Sequence, residues 1–311
     1  MQQLSGKRRK PFPTHIFVFL IPATFIYTLF MIYPLLDSLR LSLFAPNADG
    51  VETFVGLQNY AALLTDELWS VRFWGALGNN FIFFLIHMFV QNPLGLLLAA
   101  LLSRRRVFGQ NTYRTLLFMP TMLSVVIIGF IWQLILSPLW GIAAGMMSSV
   151  GLEQFFRPWL GLESSALIAL SLISVWQFIG IPMMLFYAAM LGIPDELIEA
   201  AYVDGASSWT VFWKIKFPLI LPTVGIVAIL TYVGNFNAFD LIYTTQGALA
   251  GPNFSTDIMG TFFYRVFFGF QLQLGNQTMG ATIAAMMFLI ILAGVLLYLF
   301  GWQRRMTTYE V

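Results

Sequence analysis

IPDELIEAAYVDGASSWTVFWKIKFPLILP, residues 193–222, is the stretch from which the fold of this chain is read. It lies between two long apolar runs and is built as a compact element. Pro194 stands at a helix start, with Asp195 and Glu196 in the first turn. Proline loses no useful N–H there, and carboxylates meet the positive end of the helix dipole. The helix is predicted to run to about Val203 and to stop at Gly205, a residue type free to take the left-handed conformation that ends helices. Ser207 or Ser208 then caps a second short helix through Lys214 and Lys216. Two short helices about a glycine suit a dock for a partner or an ordered inter-helix loop, and spacing alone does not choose between them.

Outward from this stretch the composition says membrane. Of 311 residues, 59% are hydrophobic and 10% charged, against about 25% charged in an average soluble domain. Six stretches carry no Asp, Glu, Lys or Arg: 11–36, 73–103, 115–152, 164–194, 217–239 and 266–303. Roughly 20 apolar residues cross a bilayer as a helix. The chain is therefore expected to be an all-α membrane protein, a single transmembrane domain over 1–311. Its six transmembrane helices are expected near 15–36, 78–102, 116–137, 165–190, 217–238 and 279–300, with the loop 191–216 between the fourth and fifth. A barrel would alternate polar and apolar residues, and these runs do not.

The net charge of +2 says little, but its distribution says more. Lys7, Arg8, Arg9 and Lys10 precede the first run, and Arg104, Arg105, Arg106 and Arg114 follow the second. Lys214 and Lys216 follow the fourth, and Arg304 and Arg305 end the sixth. Arg40, Arg72, Arg157 and Arg265 fall on the other side. By the positive-inside bias, both termini and the 191–216 loop are cytoplasmic. The basic clusters are topology signals, not a nucleic-acid surface. The apolar run after the basic tail is about as long as a span and lacks a small-residue cleavage site before Asp37, so it reads as a retained helix.

The chemistry of catalysis is missing. There are no cysteines and only two histidines, His15 and His87. No HExxH and no GxxxxGK[ST] phosphate loop occurs, so no catalytic residue, metal site or resident cofactor is expected. His87 is the one ionisable group within a predicted span and reads as a packed histidine. Proton or sodium coupling usually needs carboxylates at depth, so energy for any transport has to come from another chain.

Uncharged polar groups are present at depth. The second run holds Asn79, Asn80, His87, Gln91 and Asn92; the fourth holds Ser174 and Gln177, three apart and thus on one helix face. Asn235 and Asn237 close the fifth, beside Asp240. Amides and hydroxyls near Trp176, Phe236 and Phe239 suit a polyhydroxylated ligand with apolar C–H faces. Helix–helix hydrogen bonds are the more frequent use of such residues.

The segment EAAYVDGASSWTVFWKIKFPLILP, from Glu199 to Pro222, resembles the EAA motif of binding-protein-dependent ABC importer permeases. Glu199, Ala200, Ala201, Asp204, Gly205, Leu221 and Pro222 fall in place. FVGLQNY at 54–60, LGLLLAALLSRRRVFGQNTYRTLLFMP at 94–120 and FDLIYTTQGALAGP at 239–252 resemble the carbohydrate branch of that family, and FVGLQNY its first permease of a pair. The ending TQGALAGP departs from the common TGGGP. No large extra outer domain and no added N-terminal span are expected.

The resemblance implies a division of labour in a bacterial or archaeal cytoplasmic membrane. A soluble extracytoplasmic binding protein delivers a sugar, and this chain and a second homologous permease form the pathway. Two cytoplasmic ATPase subunits hold ATP and magnesium and drive the motion. Glu199, Ala200, Ala201, Asp204 and Gly205 are then the coupling residues that enter the ATPase. A sugar site on the fourth and fifth spans carries over to Gln177, Gly180, Asn235 and Asn237. An importer of the same class for a glycerol phosphodiester or another polyol is an alternative, and a membrane scaffold or receptor subunit that moves nothing is another.

Overall fold

The computed structural model describes residues 14–47, 50–103, 108–271 and 273–305. The basic tail Lys7–Lys10 and the run Arg104–Arg106, which carry much of the topology argument, lie outside the described residues. Almost everything else is helix, as expected. Among the described residues four helices are long and apolar enough to cross a membrane: Val18–Leu41, Glu67–Leu102, Ser208–Gln246 and Gln277–Trp302. Three bent pairs bring the number to as many as seven if each is one span.

Proline shapes three of the long helices without ending them. Pro34, Pro93 and Pro218 each stand two positions after a five-residue π turn, at Thr28–Ile32, His87–Gln91 and Phe212–Lys216. In each case the residue before the proline donates to the carbonyl five back: Tyr33 to Thr28, Asn92 to His87, Phe217 to Phe212. A proline has no N–H to give, and its ring crowds the carbonyl four residues earlier. The wider turn relieves that crowding, so the helix continues.

Boundaries differ from the sequence expectation where charge was taken for loop. The helix expected at 78–102 starts at Glu67, where the Asp66 side chain caps it by accepting from Leu68 N at 2.9 Å. At about 1.5 Å per residue it is roughly 54 Å long, well beyond the about 30 Å of hydrocarbon in a bilayer. Glu67 and Arg72 thus lie inside the helix, ahead of the charge-free run. The second short helix expected after Gly205 is not separate either. Ser208–Val211 passes through the π turn into Phe217–Phe236 as one helix.

The expected straight span at 116–137 is broken. Gln110–Phe118 leads into a 3-10 turn at Met119–Met122, and Val125–Leu136 leaves at 97° to it. Pro120 and the extended backbone of Leu123 and Ser124 make the corner. The expected 165–190 span is two pieces, Ala166–Phe178 and Gly180–Leu191, joined through Ile179, whose N–H still bonds to the Val175 carbonyl at 2.9 Å.

The core lies where these pieces cross. Met183, Phe186 and Met190 pack on Ala99, Leu102 and Ile220, and Ile128, Leu170, Ile242 and Ile258 form a second cluster. A third joins Leu63 and Phe73 to Met259, Phe262 and Ile283. The first long helix has no buried residue in its apolar stretch. Outside the long helices, Phe44–Pro46 pairs antiparallel with Glu52–Phe54, and Asn59 Nδ2 ties this hairpin down through the Ser42 and Phe44 carbonyls at 2.9 and 2.8 Å.

Candidate functional site

A cavity of about 440 Å³ opens between the 67–102, 166–178, 180–191 and 208–246 helices. Its wall is mostly apolar, with Phe83, Phe178, Leu230 and Phe239 prominent, and its polar side chains are few. The π turn before Pro93 places two of them, His87 and Gln91, both buried. Ser174 faces them from the 166–178 helix, and Thr231, Asn235, Asn237 and Asp240 come from the end of the fifth predicted span.

Hydrogen bonds orient these groups. His87 Nδ1 is 2.8 Å from the Phe83 carbonyl. A carbonyl only accepts, so Nδ1 carries the hydrogen and Nε2 of the neutral ring accepts from Ser174 Oγ at 2.9 Å. Thr231 Oγ1 donates to the Val227 carbonyl at 2.8 Å and accepts from Asn92 Nδ2 at 3.0 Å. Asn235 Nδ2 donates to the Thr231 carbonyl at 2.7 Å, which turns its Oδ1 away from the helix backbone. That Oδ1 and Gln91 Oε1 are buried without a partner.

The four residues expected on the pathway separate into two pairs. Asn235 and Asn237 line the cavity; Gln177 and Gly180 do not. Gln177 is fully buried, donates to the Leu123 carbonyl at 3.3 Å, and its own carbonyl accepts from Thr121 Oγ1 at 2.9 Å. A Cβ on Gly180 would stand 2.8 Å from Phe118 Cα and 3.0 Å from the Leu117 carbonyl. Both residues fasten the fourth predicted span to the corner at 117–123. Trp176 also points elsewhere, into an apolar groove with Trp132 and Trp159, while Phe239 lines the cavity.

Sequence reasoning missed Thr231 and treated His87 and Gln91 as packing residues. The spacing His87–Gln91 just before Pro93 was the available signal, because a π turn keeps residues four apart on one face. Also missed was a buried ion pair outside the cavity wall. Arg265 Nη2 meets Asp257 Oδ2 at 2.5 Å, and Arg265 Nη1 donates to the Ala248 carbonyl at 2.8 Å. Asp257 further accepts from Thr261 Oγ1 at 2.7 Å. Phe254 lies between two guanidinium groups, Arg72 at 3.6 Å and Arg265 at 4.8 Å from its ring centre.

The 193–222 stretch has the local form expected at its first helix. Asp195–Val203 is helical, with both carboxylates in the first turn. Gly205 has φ +81. Its N–H bonds to the Tyr202 carbonyl at 3.0 Å and that of Ala206 to the Ala201 carbonyl at 2.9 Å, the paired bonds of a Schellman end. Ser207 caps the next turn by accepting from Thr210 N at 3.2 Å. Glu199, Ala200, Asp204 and Gly205 are exposed and Ala201 half-buried. Val203 and Trp209 are exposed at 87% and 72%, and Trp209 packs edge-on against Trp213.

Known proteins agree with this architecture. The chain is similar to the probable ABC transporter permease protein YurN of Bacillus subtilis (strain 168), 33% identical over 80% of this chain and 84% of that one. It is also similar to the alpha-glucoside transport system permease protein AglF of Rhizobium meliloti (strain 1021), 34% identical over 72% of this chain and 66% of that one. Its fold is that of a chain in a bacterial ABC transporter involved in the import of the acidic polysaccharide alginate. The two share a TM-score of 0.79 over 94% of this chain and 96% of that one, at 20% identity. Residues 91–305 match the family described as the inner membrane component of binding-protein-dependent transport systems, and the chain belongs to that family.

Proposed function

We propose that this chain is the transmembrane subunit of an ATP-driven importer that moves a sugar or oligosaccharide inward. It is one permease domain over 1–311 with six spans, the bent pair at 110–136 counting as one and the successive helices 166–178 and 180–191 as another. Both termini and the coupling loop face the cytoplasm. The observation that carries the reading is the cavity wall itself: amides and two hydroxyls among aromatic rings, on a chain whose relatives include an alpha-glucoside permease. Sugars offer hydroxyls to such amides and C–H faces to such rings.

The drive enters at the coupling residues Glu199, Ala200, Ala201, Asp204 and Gly205. Small side chains at 200 and 201 permit close approach of an ATPase surface, and the Gly205 turn sets the angle of the helix that enters it. ATP and magnesium belong to two partner ATPase subunits, a second permease completes the pathway, and a binding protein loads it from outside.

The test is reconstitution with the subunits from neighbouring reading frames. Proteoliposomes holding ATP and receiving binding protein outside should accumulate labelled oligosaccharide, and should stop when ATP is replaced by ADP. Accumulation that ignores ATP, or a chain that co-purifies with no ATPase, overturns the proposal.

A further inference from the structure

Arg114 is the last charged residue before the charge-free run 115–152, so it stands where that run meets the membrane surface. It belongs to the Gln110–Phe118 helix and faces Tyr187 of the Gly180–Leu191 helix. Its guanidinium carbon is 4.4 Å from the centre of the Tyr187 ring, and Nη1 donates to the Tyr187 hydroxyl oxygen at 3.4 Å. Gln110 holds the tyrosine in turn: its Nε2 donates to the same oxygen at 2.9 Å and to the Leu102 carbonyl at 2.6 Å. A planar cation laid on a ring keeps little freedom, so the charge is oriented in advance.

Nothing of opposite charge meets it. None of the ion pairs among the described residues includes Arg114. Its Nε is enclosed without a partner, and Nη2 has none among the described residues. The side chain is half-buried, which leaves the Nη2 edge as the one that a ligand can reach. The Tyr187 oxygen accepts twice, and its own hydrogen goes to no acceptor among the described residues. A half-buried charge with no counterion is unfavourable. Converging donors without an acceptor describe a seat for an anion.

The surroundings choose the anion. Phe108, Tyr113 and Leu116 are exposed around it, and a small soluble anion gains nothing from such a surface. A lipid covers apolar side chains with its tails and brings a phosphate to the level of the interface. A zwitterionic lipid already pairs that phosphate with its own ammonium, so the headgroup that suits an unbalanced arginine is anionic. We infer that Arg114 and Tyr187 form a seat for the phosphate of an anionic phospholipid, beside the end of the 67–102 helix. The seat is separate from the cavity, whose wall includes neither residue, and the inference does not depend on the cargo.

The test counts lipids retained by the purified full complex. Native mass spectrometry follows exposure to an equimolar mixture of phosphatidylglycerol and phosphatidylcholine. The wild type should retain one more phosphatidylglycerol per copy of this chain than Arg114→Gln. Competition should show that lipid preferred about fivefold over phosphatidylcholine, the order expected of one arginine at an anionic surface. Arg114→Lys should keep only part of the preference, because an ammonium brings charge without planar stacking. Equal retention by wild type and Arg114→Gln overturns the inference. So does release of the lipid by millimolar inorganic phosphate, which would make the seat one for a free anion. If Arg114→Gln does not assemble, a photoactivatable phosphatidylglycerol on the wild-type complex reads the same contact. Label within 108–118 or 180–191 supports the inference, and label only elsewhere overturns it.

Discussion

Asn80 holds Asn235 by its backbone: the Asn80 Nδ2 donates to the Asn235 carbonyl at 2.9 Å, across two helices far apart in sequence. The same side chain accepts from Met259 N at 2.7 Å. One buried amide thus joins the wall of the cavity to the segment that carries the Asp257–Arg265 pair. Its neighbour Asn79 reinforces the joint by donating to the Asp257 and Ser255 carbonyls at 2.8 and 3.1 Å. Asn80 is a positioning residue, acting through Asn235.

Asn80→Ala leaves the Met259 N–H buried without its acceptor, at about 1–3 kcal/mol when no water reaches it, and leaves the Asn235 carbonyl to the Ala238 N–H at 3.3 Å. A lower melting temperature and weaker saccharide uptake are expected together. Asn80→Asp puts an unpaired carboxylate against the Asn235 carbonyl at a fully buried position, and should melt lower still and lose uptake further. Equal behaviour of the two variants in thermal melts and uptake assays would count against the positioning role.

Gly205 allows a sharper separation of folding from coupling. Its φ is +81, and a Cβ there would meet nothing within 4 Å. The penalty for another residue is thus conformational, about 1–2 kcal/mol for one position forced left-handed. Gly205→Val should leave the complex assembled yet cut ATP-dependent uptake at least tenfold, because the turn angle changes. Gly205→Asn, the side chain that best tolerates that region, should retain a substantial part of the uptake. Parallel measurement of ATPase co-purification and uptake reads both halves.

How far the fold was legible follows from what each residue type signals. Long charge-free runs revealed the helices, since lipid admits little else. The Gly205 stop and the Ser207 cap were legible because they are local chemistry. The start at Glu67 was not, because a charged residue marks the membrane surface and a helix can pass through that surface. Nor was the corner at Pro120, since proline in a membrane helix gives a π turn at Pro93 and a break at Pro120, and only the neighbours decide which. In the cavity, Asn235 and Asn237 were legible as polar residues at a span end. Gln177 and Gly180 were assigned to the pathway by analogy with a sugar site, and packing against 117–123 sets their surroundings instead.

Gly180 gives a direct test of that packing. A Cβ at 2.8 Å from Phe118 Cα meets backbone, which cannot swing aside. Gly180→Ala should therefore destabilise by about 1–3 kcal/mol through overpacking. Gly78 is the control: it is helical, with nothing within 4 Å of a Cβ. Gly78→Ala should be neutral or stabilising by up to about 1 kcal/mol. A melt in which the two substitutions shift the midpoint equally would mean that the corner yields.

The Asp257–Arg265 pair can be tested by removing its members singly and together. Both side chains are nearly fully buried, at 3% and 7% exposure. Arg265→Met strands a buried carboxylate, at about 3–5 kcal/mol for breaking one side of such a pair. Adding Asp257→Leu removes the stranded charge, so the double variant should be more stable than Arg265→Met alone. The Phe254 ring gives an independent handle, since both guanidinium groups rest on it. Phe254→Ala should lose about 0.5–2 kcal/mol per cation–π contact, while Arg72→Ala should lose the smaller, exposed share. If the double variant melts below the single one, the pair is not held back by a stranded charge, and its bonds are what tie the 248–257 segment to the 259–268 helix.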